Sequence, residues 1–170
     1  MSMCGGRRWA PAMRWLAMCW LLLLASCANF NARPENPTQA FWQGRLAVHI
    51  ASDPAQAFSA NFALEGSPGD GVLALTSLLG SRVATLHWSP HTATLQTSKE
   101  LLQFDSVDAM VTHSLGAPLP MAALFGWLRG DPAAAPGWEV DLKDLSAGRI
   151  RARRVAPDAA ADIRIILEPG

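Results

Sequence analysis

The chain has only three cysteines and no apolar run long enough to cross a bilayer as a helix, and each shortage removes a class of protein. Cys4, Cys19 and Cys27 are all confined to the first 27 residues, so the remaining chain cannot be a disulfide-stapled secreted scaffold. A glycine loop with its lysine for cradling phosphate is missing, and so is a Gly-x-Ser-x-Gly nucleophile elbow. The four histidines, His49, His87, His91 and His113, fall in no metal or nucleophile motif. His87 and His91 are four apart, but Ser89-Pro90 between them argues against a helix that would present them together. Enzymatic chemistry is therefore not expected.

What is present begins with a leader. Arg14 precedes an apolar run from Trp15 to Ala25, too short for a bilayer and right for the hydrophobic core of a signal peptide. Met13 would itself open a short but complete signal. The run ends Leu24-Ala25-Ser26-Cys27, which matches the bacterial lipobox: a branched apolar residue, two small residues, then the cysteine that is acylated. An ordinary secretory signal with an incidental cysteine is the alternative. Run length, small residues and cysteine coincide, which favours the lipobox.

The expected organisation is a signal peptide over residues 1–26, an acylated Cys27 with a flexible tether to residue 40, and one domain over 41–170. Three of the 14 basic residues, Arg7, Arg8 and Arg14, leave with the leader, so the mature part carries 11 against 14 acidic residues, a net charge of −3. A nucleic-acid partner is disfavoured. Two or three acyl chains, at about 0.8 kcal/mol per buried methylene, make stable anchoring where one chain is marginal. An Ala-Asn pair rather than an aspartate follows Cys27, and among lipoproteins of this kind that resemblance favours the outer membrane.

From Phe41 the period is two, the mark of strands with one buried face. Trp42, Gly44, Leu46, Val48 and Ile50 alternate with polar or small residues, and Phe58, Ala60, Phe62 and Leu64 repeat the pattern. Residues 66–71, Gly-Ser-Pro-Gly-Asp-Gly, read as a turn. Strands are expected over Val72–Leu78, Arg82–Trp88 and Thr92–Thr97, joined by short hairpins. The period then changes. Val107, Met110, Val111 and Leu115 recur at helical spacing behind Ser106 as N-cap, with Gly116 able to end the helix. Pro120 opens a second helix with Met121, Leu124, Phe125 and Leu128 on one stripe and Gly130 beyond its last turn. Trp138–Leu142, Arg149–Val155 and Ile163–Leu167 complete a largely antiparallel sheet. Arg149, Arg151, Arg153 and Arg154 alternate with Ile150 and Ala152, chiefly as the wet face of a strand. Docking to an acidic carrier or a lipid headgroup is their functional alternative.

In chain order, the lipobox, F-W-Q-G-R-L-A-V at Phe41–Val48, L-T-S-L-L-G-S at Leu75–Ser81, and G-A-P-L-P followed by W-L-R-G ending at Gly130 resemble the LolB family of outer-membrane lipoprotein receptors. The segment F-S-A-N-F-A-L-E departs from the family at Leu64, where an aromatic residue is usual. The final strands are shorter than the family's. The resemblance implies a mainly β fold with a helical lid (α+β): an unclosed, curved antiparallel half-barrel, with two or more inserted helices enclosing a hydrophobic cavity. It further implies a lipid-anchored monomer on the periplasmic face of the outer membrane. Such a protein takes acylated lipoproteins from a LolA-like periplasmic carrier and inserts them among outer-membrane lipids. No cofactor is expected beyond the acyl groups on Cys27.

On that reading the cavity lining is Leu46, Val48, Phe58, Phe62, Leu73, Leu75, Leu86, Trp88 and Leu95 from the strands, with Met121, Leu124, Trp127 and Leu128 from the second helix. For any one of these residues ordinary core packing is the better account, and only the resemblance to a cavity fold lifts the set. The membrane-insertion loop would be Leu78-Leu79-Gly80, where two adjacent leucines at a hairpin tip put at least one in solvent. A lipid-anchored structural or assembly lipoprotein with a filled core is the competing reading, and a filled interior would support it.

Overall fold

The computed structural model describes residues 40–51, 55–115, 119–155 and 160–169. Cys27, the leader, the tether before residue 40 and residues 116–118 lie outside them. Nine strands occur: β1 (Ala40–Ile50), β2 (Gln56–Ser67), β3 (Asp70–Thr76), β4 (Arg82–Ser89), β5 (Thr92–Thr97), β6 (Leu101–Phe104), β7 (Trp138–Asp141), β8 (Arg149–Arg154) and β9 (Ala161–Leu167). Helices α1 (Val107–Leu115) and α2 (Met121–Arg129) sit in the chain between β6 and β7. All nine strands form one sheet in the order β6-β5-β4-β3-β2-β1-β9-β8-β7. Its two edges, β6 and β7, do not pair with each other, so it is an unclosed, curved half-barrel. A twisted sheet of this width curls, and its hollow face must be filled by something apolar.

The register shows how the pattern of the sequence becomes that face. Trp42 pairs with Leu64, Leu64 with Leu73, Leu73 with Leu86, Leu86 with Leu95, and Leu95 with Leu102. Period-2 alternation in five successive strands therefore converges on a single apolar row across the sheet, which Leu102 of β6 extends. On the other side of β1, Leu46 pairs with Ile165 and Ile165 with Ile150, continuing the lining through β9 to β8. Gly44, inside the F-W-Q-G-R-L-A-V segment, is what lets β9 close on β1. A Cβ there would collide with the carbonyl oxygen of Ile166.

Helix α1 starts as expected: Ser106 Oγ accepts the Ala109 N–H at 3.1 Å. Helix α2 follows Pro120 and ends at Gly130, whose N–H reaches the Trp127 carbonyl at 3.0 Å. It is buried almost all round, at Met121, Ala123, Phe125, Gly126, Trp127 and Leu128, so it runs through the hollow of the sheet and does not lie upon it. Phe125, fully buried, meets Trp42 and Trp88 edge-on, with ring centroids 5.5 and 6.4 Å apart. This aromatic group plugs one end of the hollow.

Three expectations are corrected. β6 was not anticipated, because Leu101-Leu102 breaks the alternation and four residues make a weak signal. β3 stops at Thr76, short of Leu78, because the register shifts beside it and the chain turns at once. Arg154 is not on the wet face: only Arg149, Arg151 and Arg153 point outward, while Arg154 shares the inward parity of Ile150 and Ala152 and is 3% exposed.

Candidate functional site

Between the hollow face and the two helices lies a cavity of about 520 Å³. This is within the roughly 300–1,000 Å³ of small-ligand sites. Twelve of the thirteen anticipated residues line it: Leu46, Val48, Phe58, Phe62, Leu73, Leu75, Leu86, Trp88 and Leu95 from the strands, and Met121, Leu124 and Leu128 from α2. The exception is Trp127. It stands about 100° from Leu128 on the helical wheel. Its side chain, 1% exposed, points away from the cavity: the indole Nε1–H donates to the Ala133 carbonyl at 2.8 Å, and the ring tilts against Trp138 with centroids 6.3 Å apart. Trp127 thus joins α2 to the segment leading into β7. Trp127→Phe is expected to lower stability by about 1 kcal/mol through loss of that bond, read by chemical denaturation, with no change in uptake of an apolar ligand.

Sequence reasoning missed the contributions of α1 and β9. Val107, Met110 and Val111 of α1 and Ile163 and Ile165 of β9 also face the cavity. Their periodicity was legible as a helix stripe and a strand face, but not that β9 returns to pair with β1.

The two ends of the cavity differ. Strand β1 runs from Ala40 beside the aromatic plug to Ile50, where it pairs with Gln56 of β2 and Ala161 of β9. Gln56, Ala57 and Phe58, all exposed, line the cavity at this far end, and so does Glu100 beyond the end of β5. His113 and Ser114 of α1 add polar groups. One end is aromatic and closed; the other is a mouth with polar residues on its rim. That gradient suits an amphiphile whose hydrocarbon lies inside with its polar group at the rim. Each methylene moved in from water gains about 0.8 kcal/mol.

The β3–β4 hairpin points towards the mouth end, because β3 leaves Gly71 opposite Trp88 at the aromatic end and reaches Thr76 opposite Asn61, halfway along β2 towards Gln56. Its turn is tight. Ser77 N–H donates to the Ser81 carbonyl at 2.7 Å, Gly80 N–H to the Ser77 carbonyl at 2.9 Å, and Ser81 N–H to Ser77 Oγ at 3.1 Å. Gly80 supplies the left-handed backbone, φ +86°. The leucines of this turn are presented outward, Leu78 58% and Leu79 95% exposed.

An unclosed antiparallel sheet wrapped around two helices, with an apolar chamber open at one end, defines a β half-barrel built around an internal cavity. The chain belongs to the family described as outer membrane lipoprotein LolB, whose profile matches residues 39–154. The outer-membrane lipoprotein LolB of Bordetella petrii is 35% identical over 121 residues, 68% of this chain and 61% of the relative. That of Chromobacterium violaceum is 34% identical over 133 residues, 74% of this chain and 71% of the relative. That of Shewanella loihica is 30% identical over 123 residues, covering 67% of this chain but 56% of the relative. The chain therefore spans less than two thirds of the Bordetella petrii and Shewanella loihica proteins.

Proposed function

We propose that this protein is an outer-membrane-anchored receptor, held through acyl groups on Cys27, that takes acylated lipoproteins from a periplasmic carrier and inserts them into the outer membrane. The observation that carries this reading is the placement of the cavity mouth and the exposed Leu78-Leu79 turn at the same end of the sheet. A client acyl chain leaving the cavity would emerge beside the element best able to enter lipid. Membership of a family whose curated members are named for outer-membrane lipoproteins supports the same assignment.

Transfer would need no nucleotide and no bond-making chemistry. An acyl chain exposed to water is held back by about 0.8 kcal/mol per methylene, so release into the periplasm is slow and the chain must stay covered. A cavity more favourable than the carrier's and less favourable than a bilayer passes it downhill. Among the described residues no helix is long and apolar enough to cross a membrane, which is compatible with attachment through a lipid on Cys27.

The test is direct. The mature chain with Cys27→Ala is mixed with a carrier loaded with labelled acylated lipoprotein, and the label is followed by pull-down. Movement of the label onto this protein is expected. A folded protein that takes up none would instead be a lipid-anchored structural or assembly lipoprotein.

A further inference from the structure

Leu78 and Leu79 are not alone at the mouth. The β5–β6 hairpin ends at the same level, since Thr97 is the last residue of β5 and pairs with Ala84 of β4. It is as tightly closed as its neighbour: Thr97 N–H donates to the Glu100 carbonyl at 2.9 Å, and Thr97 Oγ1 accepts from the N–H of Lys99 and Glu100 at 3.2 and 3.1 Å. Directly after it stands Leu101, 67% exposed. Two rigid hairpins on neighbouring strand pairs thus each display bare leucine.

Beside the leucines are two cations. Arg82, the first residue of β4, lies two residues from Ala84, and Lys99, within the β5–β6 turn, lies two residues past Thr97, the partner of Ala84, so the two stand at about the same level of the sheet. Arg82 is aimed by a β-bulge. Leu75 pairs with Ala84 but Thr76 pairs with Arg82, skipping Val83. Val83 then faces the cavity, and the Arg82 Nη1–H donates to Thr85 Oγ1 at 3.3 Å on the outer face. Both cations are exposed, and neither makes an ion pair with a described residue. Glu100, the one acid in the β5–β6 turn, lines the cavity mouth.

Leu78 and Leu79 stand at one tip, Lys99 in the other turn, and Arg82 and Leu101 open the strands just behind them. Such a mixture suits a membrane surface, where long cationic side chains reach the phosphate layer while their apolar neighbours enter the hydrocarbon. We propose that the β3–β4 and β5–β6 hairpins form one docking platform for anionic phospholipid: Leu78, Leu79 and Leu101 enter the acyl layer while Arg82 and Lys99 engage headgroup phosphates. This rests on the membrane-delivery reading above and extends it from one leucine turn to a two-hairpin surface selective for negative lipid. The β5–β6 half of the platform depends on a strand that the sequence pattern does not reveal.

The test uses the mature chain with Cys27→Ala and flotation with vesicles of phosphatidylcholine, with and without phosphatidylglycerol. The wild-type chain is expected to prefer the anionic vesicles. Arg82→Gln with Lys99→Gln should cost roughly 25-fold in affinity for them, about fivefold per cation, and nothing on neutral vesicles. Leu101→Glu should weaken binding to both, and all variants should still accept cargo from a carrier. Normal binding of the double glutamine variant to anionic vesicles, with Leu79→Glu still defective, would overturn the platform and leave the single-turn reading standing. Failure of the wild-type chain to bind either vesicle would remove the platform together with the delivery reading, while cargo acceptance would still report on the cavity.

Discussion

Leu79→Glu is expected to stop delivery of lipoprotein into liposomes while leaving the fold and the acceptance of cargo unchanged. The separation of effects follows from geometry. Leu79 is 95% exposed at the tip of a turn closed by backbone and serine hydrogen bonds, so its side chain holds nothing in place. Surface substitutions of this kind usually stay within about 0.5 kcal/mol. The cavity is lined by other residues, so uptake should proceed at the normal rate. Entry into lipid is another matter. Exchanging leucine for a carboxylate costs about 3 kcal/mol on membrane-insertion scales, roughly two orders of magnitude in rate if the turn must penetrate. The assay follows labelled lipoprotein from a loaded carrier, through this protein, to vesicles. Delivery at the wild-type rate by the folded variant would mean that the turn is not the inserting element.

Leu75→Trp should produce the opposite phenotype, an intact membrane contact with a blocked chamber. Leu75 lines the cavity from β3 and pairs across the sheet with Phe62 on one side and the small Ala84 on the other. An indole at that position has the space over Ala84 and the cavity itself to enter, so overpacking should remain near the low end of the roughly 1–3 kcal/mol such changes cost. If it displaces about two methylenes of a client chain, at about 0.8 kcal/mol each, uptake falls roughly tenfold. Leu75→Ala, which enlarges the chamber, is the matched control and should retain uptake. Equal uptake by the wild-type chain and a folded Leu75→Trp variant would place the client chain somewhere other than this cavity.

The thirteen anticipated lining residues show how far the pattern reaches. Nine came from strands, where period two makes the buried face unambiguous, and all nine line the chamber. On α2 the same reasoning put Trp127 with the stripe, because a helix buried nearly all round has apolar residues on every side and its sequence does not mark which side faces a void. Arg154 failed for a similar reason. Four arginines in six residues look like a wet surface, yet strict alternation from Arg149 carries the last of them inward.

The sequence by itself determined the order of eight of the nine strands and of both helices, the inward faces of most strands and the place of the leucine turn, because those depend on local chemistry and on spacing along the chain. The tertiary structure alone decided that β9 joins β1, that β6 exists and carries Leu101 towards the mouth, that the bulge at Val83 turns Arg82 outward, and that the side chains of sheet and helices leave a cavity between them. Each of these depends on which segments meet across long stretches of chain and on how completely their side chains fill the gap between them. Periodicity says which way a side chain points, but not how far away its partner stands.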